Sequence, residues 1–241
     1  MVLAAPAALG YSAEELAAKN IDAKGGIDKL HAIQSVRLSG KLIISGGTLR
    51  LDYVTVIKRP QLVRYEAKLQ GLTQVQAFDG SQAWQINPFQ GRKDPEKLSA
   101  DDAKGMSEDA ADVVGPLVDY KVKGYQLESL GTEDVDGTDA YKLRLTRPNG
   151  DLIYVYLDPD YFLEIRTLTR RIEHGVPNET ITDYGDYEKV NGVYLSLSQE
   201  SGPKGSSDRQ KVQFDTAEFN VVVDDAEFHF PAISGHASLT Q

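Results

Sequence analysis

The residues best placed for proton transfer or metal binding near neutral pH are the four histidines, His31, His174, His229 and His236. None sits in H-E-x-x-H or in another close-spaced ligand pattern. His174 precedes a turn glycine and reads as a surface residue. No G-x-S-x-G elbow presents a nucleophilic serine. Gly46-Gly47 lacks the lysine and the following helix of a phosphate loop. The carboxylates Asp101-Asp102, Asp158/Asp160 and Asp224-Asp225 could bind Ca²⁺ weakly, but they read better as solvated helix starts and turns. With no cysteine, the chain has no disulfide, thiol nucleophile or thiolate metal site. These patterns predict a protein that is not an enzyme and holds neither metal nor cofactor.

Charge narrows the partners. The chain of 241 residues carries 26 basic and 36 acidic residues, a net charge of −10. That balance argues against nucleic acid, which needs clustered Lys and Arg, and against a polybasic membrane-surface role. No stretch approaches the ~18 apolar residues of a bilayer-crossing helix. The start, Val2 to Leu9, reads VLAAPAAL with an A-x-A pattern at Ala5 and Ala7, like the tail of a secretory signal. Residues 1–10 are therefore set apart from a single domain over 11–234, with a tail at 235–241.

The elements follow from period. Ser12 and Glu15 form an S-x-x-E capping box, and Ala13, Leu16, Ala17 and Ile21 recur at helical spacing until Gly25-Gly26. Ile27, Leu30 and Ile33 extend the same apolar side by a turn or two. From Ser35 the period falls to 2, the mark of strands. Val36, Leu38, Leu42 and Ile44 alternate with Arg37, Ser39 and Lys41, and a return strand carries Leu49, Leu51, Tyr53, Thr55 and Ile57 on one face. Residues 88–124 break the alternation. Ser99 and Asp102 mark a helix start, with Ala103, Met106, Ala110, Val113, Val114 and Leu117 as an apolar stripe interrupted at Gly105 and at Gly115-Pro116. Strands resume near Tyr125, punctuated by turns at 136–137, 149–150, 158–159, 174–175 and 191–192.

The expected architecture is mainly β with some helix (α+β). About eleven strands form one antiparallel, strongly curved open barrel or half-barrel, with the helical segments as lid or plug. Whether helices fill its inner face or leave a ligand cavity stays open at this level. Leu51, Tyr53, Val63, Tyr65, Trp84 and Ile86 are expected on the concave face, and Met106, Val113, Val114 and Leu117 on the lid. Each could equally be plain core. Arg59 continues the odd-numbered apolar series, and a charge there is costly unless paired. If the strand has already turned at Pro60, Arg59 points to solvent instead.

The run Lys58-Arg59-Pro60, strand, Asp79-Gly80, Trp84, Asn87-Pro88-Phe89 resembles the LolA-like family of periplasmic lipoprotein carriers. The helix before Gly25-Gly26, the Val135-Asp136-Gly137 turn and the closing Phe228-His229-Phe230-Pro231 resemble the wider group of outer-membrane lipoprotein-sorting proteins. The resemblance implies an unclosed barrel whose cavity takes acyl chains. It implies an arginine latch on the lid, carried here by Arg59. It also implies a monomer in the Gram-negative periplasm, without metal or redox cofactor. Partners would be lipid or acylated lipoprotein cargo, an inner-membrane release complex and an outer-membrane acceptor. An envelope sensor of lipid or lipoprotein, acting through a membrane protein, is the alternative.

Overall fold

Helix formation begins where the capping box places it. The Ser12 hydroxyl accepts from the Glu15 amide (3.1 Å), and the Glu15 carboxylate accepts from the Ser12 amide (2.7 Å). The resulting helix α1 (Ala13–Lys24) ends at Gly25, and the short α2 (Ile27–Ala32) follows. Gly25 has φ 125°, and a Cβ there would lie 2.4 Å from the Gly192 carbonyl oxygen. Only glycine lets the helix end approach that turn so closely. The computed structural model describes residues 10–173 and 175–231, with the side chain of Ser45 left aside. Most of the signal-like start, His174, His236 and the C-terminal tail lie outside the described residues.

The strands are β1 (Ser35–Ile44), β2 (Leu49–Lys58), β3 (Leu62–Leu69), β4 (Leu72–Asp79), β5 (Ala83–Asn87) and β6 (Arg92–Lys97), then β7 (Gln126–Val135), β8 (Thr138–Thr146), β9 (Leu152–Leu157), β10 (Glu164–Glu173), β11 (Val176–Val190), β12 (Val193–Pro203) and β13 (Gln210–Phe219). They form one 13-stranded sheet in the order β6-β5-β4-β3-β2-β1-β13-β12-β11-β10-β9-β8-β7. Neighbouring strands are antiparallel, including β1 against β13 at the centre. The sheet is therefore two meanders joined along one seam, with β6 and β7 as its free edges.

Thirteen strands replace the expected eleven or so. One that sequence reading passed over is β6, whose residues Arg92 to Lys97 have no apolar alternation. It forms because β5 offers an edge, and its Pro95 and charges suit the last strand of a sheet. A second correction concerns Gly105. It does not interrupt the helix: α3 runs unbroken over Ala100–Ala111, capped by Ser99 and Asp102. One glycine costs a helix only about 1 kcal/mol.

Topology places α3. It is the connection between the sheet's two edges, so it has to cross the open side. Along the strands, alternate residues face opposite ways. Tyr53, Thr55 and Ile57 of β2 face inward with Val36 and Leu38 of β1. Val54 and Val56 face outward, where Val221, Val223 and Phe228 cover them.

Candidate functional site

Helix α3 is held differently along its two sides. Toward β3–β5 the contact is apolar: Met106, Ala110 and Ala103 pack with Val63, Phe78 and Ala83. Toward β8–β10 it is ionic. Arg147, just past β8 and only 5% exposed, pairs with Glu108 and with Asp112 (2.8 Å). Arg171 Nε reaches Glu108 at 2.9 Å, and Lys104 reaches Asp151 at 2.5 Å. Lys123 pairs with Asp112 at 2.7 Å. The guanidinium of Arg147 also lies 5.7 Å from the ring centre of Tyr125. The Tyr65 hydroxyl donates to Asp109 Oδ2 (3.2 Å).

At the C-terminal end of α3, beneath the segment that follows it, lies a cavity of about 540 Å³. That is within the ~300–1,000 Å³ range of small-molecule sites. Its two walls differ in chemistry. On β1, β2 and the middle of β13 the lining is mainly apolar, Val36, Leu38, Tyr53, Ile57, Val212 and Phe214, with Thr55 among them and Gln210 at the start of β13. On β10–β12 it is mainly polar, Thr167, Thr182, Tyr184, Tyr187, Gln199 and Ser201, with Val193 and Leu195 at the start of β12 as apolar exceptions. Leu30 and Ile33, at and just past the end of α2, close the apolar end, and Val113 to Pro116 form the roof behind α3.

The cavity also carries a buried ion pair. Lys24 Nζ meets Glu164 Oε1 at 2.8 Å, with the side chains 10% and 4% exposed. The Tyr187 hydroxyl donates to the Glu164 carbonyl oxygen (2.9 Å). Burial opposes ionisation of Glu164, but the charge and hydrogen bond of Lys24 outweigh it and hold the carboxyl below its usual range. Gly115 leaves room for this pair: a Cβ there would lie 2.5 Å from Lys24 Nζ, and its φ of 105° also favours glycine. Burial raises the phenols of Tyr53 and Tyr184 to about 12, and those of Tyr65 and Tyr187 well above the ordinary value. All four phenols are therefore uncharged at neutral pH.

Of the residues expected to line the site, Tyr53, Tyr65, Val113 and Val114 do so. Val63 and Met106 belong to the packed anchor of α3. Leu117 sits in another cluster, with Leu16, Leu143 and Leu145. Leu51 shares the inward parity of Tyr53 and is buried, but does not line the cavity. Trp84 and Ile86 need correction. They lie on the outer face with Val75, Ala77 and Phe230, and Trp84 Nε1 donates to the Phe228 carbonyl (2.7 Å). Trp84 and Ile86 alternate with Gln85 and Asn87, but the outer face of β5 is itself covered by Phe228 and Phe230, so alternation could not decide which face turns inward.

Arg59 follows the last residue of β2, and its backbone amide donates to the Gln34 carbonyl (2.8 Å). Its Nη2 donates to the Leu30 carbonyl (3.3 Å), which belongs to α2 and not to α3. The groups that grip α3, Arg147 and Arg171, were not among the expected site residues. One sequence signal could have found them: the acidic stripe Glu108, Asp109 and Asp112 has no basic partner downstream on its own helix.

No family model matches the sequence, and no curated protein matches it. Solved structures do. A DUF1329 family protein from Desulfovibrio piger superposes with a TM-score of 0.62 at 15% identity, covering 90% of this chain and 97% of that one. A LolA superfamily protein from Nitrosomonas europaea gives 0.58 at 12% identity, covering 91% and 98%. An outer membrane lipoprotein-sorting protein domain from Vibrio parahaemolyticus gives 0.58 at 11%, covering 89% and 94%. The chain has the LolA-like fold.

Proposed function

We propose that this protein is a periplasmic carrier that takes acyl chains of a lipid or lipoprotein into the cavity at the C-terminal end of α3 and delivers them toward the outer membrane. The observation that supports this best is a 540 Å³ cavity with one apolar wall at the C-terminal end of a helix that is ionic along one side. A chain entering it gains ~0.8 kcal/mol per buried CH₂, so a 16-carbon chain brings on the order of 10 kcal/mol before ordering costs. Helix α3 is the lid. Its ionic side can exchange ion pairs for water, while its apolar side has no such alternative partner and acts as the hinge. Loading and release then call for protein partners, an inner-membrane release complex and an outer-membrane acceptor.

A plug in the cavity tests this reading. Trp in place of Val212 puts a large ring into the apolar wall. We expect Val212→Trp to keep the circular dichroism of the parent and to lose at least ~10-fold in affinity for a fluorescent fatty acid, about 1.4 kcal/mol. Equal uptake by both proteins would place acyl binding elsewhere.

Arg59 has its own role in this scheme. By holding the Leu30 carbonyl it keeps α2 seated at the cavity's apolar end. Arg59→Leu should leave the fold intact, loosen that end and retain bound fluorescent lipid longer during transfer to acceptor vesicles. Transfer at the parent's rate would remove Arg59 from the gate.

A further inference from the structure

The polar wall is more ordered than a random set of hydrophilic residues. Strand register puts Thr167 opposite Thr182, Thr182 opposite Ser201, and Ser201 opposite Gln210. All four line the cavity. They form one straight row across β10, β11, β12 and β13, and strands lie about 4.8 Å apart. The row therefore offers a neutral hydrogen-bonding group at each strand spacing. Tyr184 and Gln199, also opposite each other, stand in the next row. The Tyr184 hydroxyl pairs with Thr167 Oγ1 (3.1 Å), and Thr182 Oγ1 with Ser201 Oγ (2.9 Å). Hydroxyls can rotate, donate and accept, so these groups can turn to a ligand without becoming buried and unsatisfied.

The charged groups of the cavity point the same way. Its cations are Lys24, Arg147 and Arg171. Lys24 is matched by Glu164, Arg147 by Glu108 and Asp112, and Arg171 by Glu108 and Asp109. An anionic head would have to displace a carboxylate from a low-dielectric site to gain a cation. A cationic head would have to strip a carboxylate of its partner. Both are costly where ions are desolvated.

We propose that the cavity recognises an amphiphile with an uncharged, polyhydroxylated head, a sugar or polyol on an alkyl chain, with the chain against β1, β2 and β13 and the head against the Thr167–Thr182–Ser201–Gln210 row. This rests on the acyl-carrier reading and adds the head-group class to it. A head held inside the cavity would make cargo choice depend on hydroxyls, not on charge.

The test uses ligands with one chain length: dodecyl glucoside, dodecyl phosphate, dodecyltrimethylammonium and dodecanol, each below its micelle threshold. Binding to the full chain is read by native mass spectrometry and by displacement of a fluorescent fatty acid. We expect the glucoside to bind at least ~10-fold tighter than the phosphate and the ammonium, and tighter than dodecanol; ~10-fold is about 1.4 kcal/mol. Thr182→Val with Ser201→Ala should remove that preference while the circular dichroism stays that of the parent. Phosphate or ammonium bound as well as glucoside would overturn the head-group assignment alone. So would a preference that survives the double substitution in a folded protein. Failure of every dodecyl ligand, dodecanol included, would overturn the acyl-cavity reading itself.

Discussion

Arg147→Met should lower the free energy of unfolding by about 3–5 kcal/mol, the cost of removing one partner from a buried ion pair. The size follows from burial. Arg147 is 5% exposed, and its partners Glu108 and Asp112 are 11% and 12% exposed. Methionine fills much of the space of the arginine stem and supplies no charge. Glu108 would then keep Arg171, and Asp112 would keep Lys123. The loss should be local in kinetics as well. Hydrogen exchange should rise over 111–116 and stay low in β3 and β4, because the apolar anchor of Met106 and Ala110 on Val63 and Phe78 is untouched. Adding Glu108→Gln should recover part of the loss, since Arg171 then matches Asp109 and Lys123 matches Asp112 with no carboxylate in excess. A cost under ~1 kcal/mol, typical of a surface pair, with unchanged exchange, would mean that α3 does not depend on this clasp.

The same residues show where sequence reading stops. The inner face of β1 and β3 was legible because polar and apolar residues alternate there, and the capping boxes at Ser12 and Ser99 marked two helix starts. Trp84 went to the wrong face because β4 and β5 carry apolar residues on both sides, Val75 and Ala77 outward and Phe78 and Ala83 inward. Register then depends on partners that period alone does not identify. The polar wall was illegible for a different reason. Thr167, Thr182 and Ser201 have the composition of a solvent-facing row, and only the closing of β1 on β13 curves them over a cavity. Arg147 stands in Arg147-Pro148-Asn149-Gly150, which reads as a turn, and its partners lie 35 and 39 residues away.

Lys24→Met should produce a loss of similar size, about 3–5 kcal/mol at neutral pH, and one that depends on pH with a distinctive sign. In the parent, Glu164 is buried yet held below its usual range by Lys24. A carboxyl with a depressed folded value stabilises the fold above its unfolded value, 4.5. That contribution disappears as pH falls through the folded value. Without Lys24 the attraction is gone and desolvation remains, which raises the folded value above 4.5 and reverses the slope. The variant should therefore be most impaired at neutral pH, and the gap in Tm between the two proteins should narrow as the solution is acidified toward pH ~4. Lys24→Met combined with Glu164→Gln should close much of the gap at neutral pH and lose this slope. A gap constant from pH ~7 to ~4 would show that Lys24 acts through packing of its stem, not through charge. The outcome bears on the cavity as well, because Gly115 in its roof is shaped around this pair, and a roof seated only when Glu164 is ionised would tie the cavity's shape to pH.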